Sequence, residues 1–251
     1  MTLLIGGMII ATTEEVVGQS GIEKKGNTSS LPPLTSFSTN QTSDEWMTSF
    51  NLENCNFAST GKNSYFILEP GYQVILEGEE NGAKLQLVIS VLNETKIVDG
   101  VETRVVEEKE TEGGNLIEVS RNYFAICNPT NDAIYFGEEV DMYENGDIVS
   151  HEGAWLAGQN GAKAGMSMPG KIEVGLNYYQ EIAPGVAEDR AEIVSVNDTL
   201  DTPAGTFSNV LKTEETNSLK PGEKEFKLYA PRIGLIQDEA LRIVKHTPPS
   251  S

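Results

Sequence analysis

Residues 72–91 read YQVILEGEENGAKLQLVISV and decide the fold. Runs rich in β-branched residues and leucine lie on both sides of Asn81-Gly82, as expected for two strands. The Asn-Gly pair supplies the two positive φ angles that a type I′ hairpin turn requires. We therefore predict a β-hairpin whose turn is Asn81-Gly82.

Strand-like runs separated by turn residues recur to the end of the chain. The dipeptides are Asp99-Gly100, Gly113-Gly114, Asn145-Gly146, Pro184-Gly185 and Pro221-Gly222. No amphipathic helix of useful length interrupts them, and a long antiparallel sheet must curl or split to bury an apolar face. The prediction is one all-β domain over residues 60–246, a large curved antiparallel sheet in the form of a half-barrel, a barrel or a sandwich. The glycine-rich residues 157–171 are predicted to form a long loop over one end of this sheet.

The N-terminal part of the chain has a different composition. An apolar run over residues 3–11 suits a secretion signal, so we predict a signal segment at 1–20. Residues 21–59 are rich in Ser, Thr and Asn and predict a disordered stalk. Only Trp46, Phe50, Leu52 and Phe57 indicate that its end docks on the domain. Residues 247–251 form a tail. Glycosylation sequons at Asn27, Asn40, Asn93 and Asn197 fit the same extracellular or cell-surface location.

The charge balance restricts the partners. The chain carries 18 Lys and Arg against 38 Asp and Glu, a net charge of −20. Such a field repels phosphate backbones and anionic membranes, so we expect no nucleic-acid partner. No apolar run is long enough for a transmembrane segment.

The sequence has two cysteines, Cys55 and Cys127. The simplest interpretation is one disulfide, which would close a loop of about 70 residues and contribute about 4 kcal/mol in the chain-entropy model. Two free buried thiols are the alternative that a reducing compartment would require.

Two segments carry a resemblance. Residues 201–211 read DTPAGTFSNVL and residues 229–236 read YAPRIGLI. They resemble the "PAGTF" and "YAPGxGLV" strand signatures of bacterial and archaeal exported proteins of uncharacterised function, with Arg232 where the signature usually has Gly. The resemblance implies a distant similarity to lipoprotein-carrier and lipid-binding half-barrels, and it brings no catalytic residues.

Histidine-based chemistry is poorly supported, since His151 and His246 are the two histidines and no Gly-x-Ser-x-Gly pattern exists. Carboxylate side chains remain as the candidate catalytic or metal-binding groups. Asp141, Asn145 and Glu152 occupy positions 1, 5 and 12 of a calcium-loop pattern, but a hairpin at Asn145-Gly146 explains the same residues.

A second set of candidates combines acids with one indole ring. Its members are Glu152, Trp155, Glu181, Glu188 and Asp189, near predicted strand ends. Oxygen-rich clusters suit calcium, and an acid pair beside a tryptophan can bind sugar or act as acid and base. Solvated edge charge that discourages aggregation is the alternative.

These observations lead to three hypotheses. The first is a secreted or surface-tethered, non-enzymatic binding protein for an apolar or amphipathic ligand, or for a cell-surface component, with no required cofactor. The second is a carboxylate-based enzyme acting on a polysaccharide. The third is a structural surface protein stabilised by calcium.

Overall fold

The computed structural model describes residues 46–249. One short 3-10 helix, Leu52–Asn54, precedes a chain of strands. The strands are β1 (Asn56–Ala58), β2 (Gly61–Lys62), β3 (Ile67–Leu68), β4 (Gln73–Glu80), β5 (Ala83–Val98), β6 (Val101–Glu112), β7 (Asn115–Asn128), β8 (Asp132–Glu144), β9 (Asp147–Ser150), β10 (Trp155–Leu156), β11 (Gly165–Met168), β12 (Asn177–Tyr179), β13 (Asp189–Thr202), β14 (Gly205–Asn217), β15 (Glu225–Ala230), β16 (Gly234–Asp238) and β17 (Leu241–Thr247).

The predicted hairpins are confirmed. At the β4–β5 turn, Asn81 has φ 51° and Gly82 has φ 82°, and Glu80 pairs with Ala83 in register. Strands β4 to β8 form the predicted meander. The prediction of a continuous loop over residues 157–171 is wrong in one part, because β11 lies inside it and pairs antiparallel with β8.

The main sheet contains 15 strands. Twelve follow the order β10-β8-β7-β6-β5-β4-β17-β16-β15-β14-β13-β12, while β1 pairs with β7, and β9 and β11 pair with β8. Its two ends approach each other without closing a barrel. The Lys163 amide donates to the Ile182 carbonyl at 2.8 Å, and a Cβ on Gly165 would lie 2.1 Å from the Gln180 carbonyl oxygen. Only glycine fits at residue 165. This residue pairs with β8 at one end of the sheet and lies against Gln180, which follows β12 at the other end. The prediction of a large curved antiparallel sheet is therefore confirmed.

The inner face of this curved sheet forms the core. Large side chains that are almost fully buried come from both halves of the strand order, and include Leu76, Leu87, Ile193, Leu211 and Ile236. Burying such a side chain contributes about 1.5–3 kcal/mol relative to exposing it. The core thus depends on contact between strands that are distant in the sequence.

Residues 46–58, here called the N-terminal strap, lie across the two ends of the sheet. Met47 forms a parallel bridge with Tyr178 of β12, whereas β1 pairs with β7 near the other end. The Cys55–Cys127 disulfide fixes the strap to β7, and confirms the predicted pairing. The β structure therefore starts before the predicted domain boundary at residue 60. The predicted signal segment and most of the predicted stalk lie outside the described residues.

Two of the four sequons can be placed. Asn93 and Asn197 are exposed, while Asn27 and Asn40 lie outside the described residues. Within residues 46–249, no helix is long and apolar enough to cross a membrane.

Candidate functional site

The interior of the sheet contains many ionisable side chains. The buried ones are Arg104, Glu108, Glu110, Glu118, Glu138, Glu181, Asp189, Glu215, Lys227 and Asp238. A charge without partners is costly in such surroundings, so a buried carboxyl group either pairs with a cation or takes up a proton. Two of these side chains line cavities, Glu108 in one and Glu138 in the other.

The first is an apolar cavity of about 80 Å³ on the inner face of the sheet. Its wall includes side chains from one half of the strand order, such as Val74, Val106 and Phe124, and from the other half, such as Tyr229 and Leu235. Tyr72 also belongs to the wall, and its hydroxyl donates to the Ile233 carbonyl at 2.7 Å. The cavity therefore lies where the two halves of the curved sheet face each other.

Glu108 is the one ionisable carboxyl group in the described wall of the apolar cavity. Burial raises the pKa of Glu108 to about 8, and the nearby charge of Lys227 opposes this rise only in part. At pH 7 the group is mainly protonated and can donate a hydrogen bond. The wall thus combines apolar surface with one neutral polar group.

Lys227 forms ion pairs with two carboxylates next to this cavity. Its Nζ lies 3.0 Å from Glu215 Oε2 and 3.7 Å from Asp238 Oδ2. Burial alone would lower the pKa of Lys227, but the carboxylates of Asp238 and Glu215 raise it well above its usual value. Thr213 Oγ1 donates to Glu215 at 3.2 Å. This ion-pair network keeps Lys227 charged inside the sheet.

The second cavity, here called the acidic pocket, lies where the ends of the sheet meet. It measures about 240 Å³, and its wall contains Glu138, Glu139 and Trp155 together with loop residues between 154 and 162 and between 183 and 186. Trp155 pairs directly with Glu138 across β10 and β8.

Two further carboxyl groups stand beside Glu138. Glu181 is fully buried and shares a hydrogen bond with Asp189. Burial raises the pKa of Glu181 well above its usual value, and the charges of Glu138 and Asp189 add to the rise. The pKa of Glu138 is also raised by burial, although a hydrogen bond from Tyr135 lowers it in part. Both shifts favour the protonated form of these closely spaced carboxyl groups.

Three of the five residues in the second predicted set therefore come together: Trp155, Glu181 and Asp189. The other two do not join them. Glu152 is exposed, and Glu188 is used locally, because it accepts a hydrogen bond from the Gly185 amide at 3.0 Å and another from Ser218.

The sequence does not indicate Glu138 as a site residue, because a β-bulge determines the face of the sheet on which its side chain lies. Asn122 pairs with Glu138, whereas Phe124 pairs with Tyr135, so β8 has one extra residue at this point. Simple alternation from the buried Tyr135 would point Glu139 inward. Instead Glu138 is buried, and Glu139 forms an ion pair with Lys96 near the surface.

Gly137 provides the signal for this bulge. Its φ is 130°, and a Cβ there would lie 2.3 Å from the Trp155 carbonyl oxygen. Glycine is thus required both by the backbone angle and by the close approach of β10. A strand-interior glycine before two acids is the only sequence feature that indicates the bulge.

The first predicted set forms a hairpin. Asn145 is an exposed turn residue with φ 53°, and Asp141 lies 2.9 Å from His151 Nδ1. In the described part of the chain, no group of three or more His, Cys, Asp or Glu side chains is placed to hold a metal ion.

Comparisons with family models, curated proteins and solved structures found no match to this chain. The resemblance to exported half-barrel proteins therefore stays a prediction. Its second signature has a definite place in the fold, because residues 229–236 span the end of β15, the turn and the start of β16. Tyr229, Ile233 and Leu235 from this segment line the apolar cavity.

Proposed function

We propose that the protein is a secreted or surface-tethered binding protein whose curved sheet holds a small neutral amphipathic ligand. The observation that carries this proposal is the apolar cavity with Glu108 in its wall. The cavity lies on the inner face of the sheet, where a half-barrel would accept an apolar ligand. The disulfide and the exposed sequons at Asn93 and Asn197 support an extracellular location.

The size of the cavity limits the ligand. An engineered cavity of about 150 Å³ binds benzene, and the cavity here is about 80 Å³. It holds a short alkyl segment and cannot enclose a complete lipid. A longer ligand would insert one end and leave the rest outside.

The charges limit the polar group of the ligand. An anionic head would face the buried acids Glu108, Glu138 and Asp238, and the charge of Lys227 offsets them only in part. A protonated Glu108 instead donates to a neutral acceptor such as a hydroxyl, ether or carbonyl oxygen. The ligand class is therefore a neutral amphiphile.

Saturation-transfer NMR with 1-octanol tests this proposal. We expect transfer to the octanol alkyl protons at pH 6.5, and at least a tenfold weaker signal in Ser167→Phe, which places a ring in the cavity wall. Binding to the wild type weakens as the pH passes 8, because Glu108 ionises and can no longer donate. Glu108→Gln removes this pH dependence while keeping a neutral donor.

Ile97→Ser provides the matched control. Ile97 is 64% exposed and far from the cavity wall, so this variant lowers surface hydrophobicity without changing the cavity. Equal loss of transfer in Ile97→Ser and Ser167→Phe would show adsorption to the surface and contradict the proposal. Absence of transfer in the folded wild type would contradict it as well.

A further inference from the structure

The interior of the sheet holds a lysine and an aspartate at facing positions of neighbouring strands. Lys227 of β15 pairs directly with Asp238 of β16, and their side chains are 1% and 0% exposed. Lys227 Nζ lies 3.7 Å from Asp238 Oδ2, which is longer than a hydrogen bond. An amine and a carboxyl group are therefore held beside each other in a place that excludes water.

The carboxyl group of Asp238 is poorly stabilised as an anion. Neither of its oxygens has a hydrogen-bond partner within residues 46–249. Burial raises the pKa of Asp238 to about 6, although the charge of Lys227 opposes the rise. An amine adds to a protonated carboxyl group far more readily than to a carboxylate, whose negative charge repels the attacking electron pair. Asp238 is therefore suited to act as the electrophile.

Glu215 differs from Asp238 in its hydrogen bonds. Its Oε2 lies 3.0 Å from Lys227 Nζ. Its Oε1 accepts hydrogen bonds at 3.2–3.4 Å from Thr213, Gln180 and Tyr229. Hydrogen bonds to a carboxylate favour its charged form. Glu215 is therefore a poor target for an amine, but it is placed to accept a proton from Lys227.

The positive charge of Lys227 depends on the same neighbours. Burial lowers the pKa of Lys227, and the charges of Asp238 and then Glu215 raise it above its usual value. Transfer of one proton from the ammonium group to Asp238 removes the larger of these charges and leaves a neutral amine beside a carboxylic acid. This neutral pair is a minor form. However, groups held side by side react as if at an effective concentration of about 10⁵–10⁸ M, so a reaction that occurs once per molecule can proceed from it.

We propose that Lys227 and Asp238 condense to an isopeptide bond that joins β15 to β16, with Glu215 as the catalytic base. After the proton transfer, Lys227 Nζ attacks Asp238 Cγ. Glu215 takes one proton from the nitrogen as the C–N bond forms and gives it to the leaving hydroxyl as the C–O bond breaks. One water molecule is released, and no oxidant or cofactor is consumed. The product replaces two buried charges by one neutral amide.

Mass spectrometry of tryptic peptides from the purified protein tests the proposal. Trypsin does not cleave after an acylated lysine but still cleaves after Arg232 and Arg242. We expect residues 225–232 and 233–242 to appear as one branched peptide, whose mass is the sum of the two peptides less one water molecule. Ordinary cleavage after Lys227 in the folded wild type would overturn the proposal. A loss of water located elsewhere, such as a succinimide at Asp99-Gly100, would overturn it as well.

Matched variants test the role of the base. Glu215→Gln keeps the size of the side chain but accepts no proton, so the branched peptide should form about 100-fold more slowly or less after refolding. Lys224→Arg is the control, because Lys224 pairs with Glu214 at the surface and takes no part in the reaction, so the branched peptide should form as in the wild type. Equal rates in Glu215→Gln and the wild type would overturn the mechanism. No ligand enters these measurements, so their outcome is independent of the proposed function.

Discussion

At the scale of single residues, the sequence departs from the signature that it resembles at a position with an unusual backbone angle. Arg232 stands where the signature has glycine, and its φ is 65°, in the left-handed region that glycine adopts without cost. The Arg232 amide donates to the Ser64 carbonyl at 2.7 Å and so holds the turn against the segment before β3. The turn conformation is thus retained despite an unfavourable residue.

Arg232→Gly is expected to stabilise the protein by about 0.5–1 kcal/mol, because a non-glycine residue in this conformation is strained. Urea denaturation measures the change as a higher midpoint at constant slope. Arg242→Gly is the control, since Arg242 is also exposed but lies in β17. There glycine should destabilise by a similar amount. An unchanged or lower midpoint in Arg232→Gly would contradict the role of the strained angle.

At the scale of strands, the buried acids of β6 and β7 make stability depend on pH. Glu110 and Glu118 pair directly across these two strands. Burial, together with the charge of Glu118, raises the pKa of Glu110 to about 9, and burial raises the pKa of Glu118 to about 7. The folded state therefore binds more protons than the unfolded state between pH 4.5 and pH 9. Stability is greatest below this window and is lost as the pH rises through it.

We predict that the melting temperature falls by at least about 5 °C between pH 5.5 and pH 9, since one pKa unit corresponds to about 1.4 kcal/mol and 1 kcal/mol to about 2–4 °C at this size. Glu110→Gln should flatten the curve. Glu112→Gln, an exposed acid on the same strand, should keep the wild-type slope. Parallel curves for all three proteins, or a rise in melting temperature with pH, would contradict this account.

The same strands show what the sequence can predict. Hairpin turns such as Asn81-Gly82 were predictable because the dipeptide itself supplies the required angles. Glu108 was not, because an acid in a strand is typical of a solvated face, and only the curl of the sheet brings β6 near Lys227 of β15. Glu138 was missed because the bulge at Gly137 reverses the alternation. Trp155, Glu181 and Asp189 were candidates because they lie near predicted strand ends, but the sequence does not show that the two sheet ends meet and bring them together.

At the scale of the whole molecule, the N-terminal strap connects the ends of a sheet that does not close. The Met47 carbonyl accepts from the Tyr179 amide at 2.9 Å, and Arg190 lies 4.6 Å from the centre of the Trp46 ring. The disulfide attaches the other end of the strap to β7. The strap thus stabilises the curvature on which both cavities depend.

Removal of the disulfide in Cys55→Ser/Cys127→Ser is expected to lower the free energy of unfolding by about 4 kcal/mol, because the bond closes a long loop. Its sequence separation is 72 residues. Denaturation of the wild type with and without reductant gives an independent measure of the same quantity. If neither the variant nor the reduced protein loses stability, the strap does not support the sheet in this way.

The central claim, that the inner face of the sheet binds a small neutral amphiphile, is tested most directly by a crystal structure of the protein soaked with 1-octanol. We expect ordered ligand density in the apolar cavity, with an alkyl segment against Phe124 and Leu235 and the ligand oxygen within hydrogen-bond distance of the Glu108 carboxyl group. A cavity that contains only ordered water, or side chains that close it, would contradict the claim.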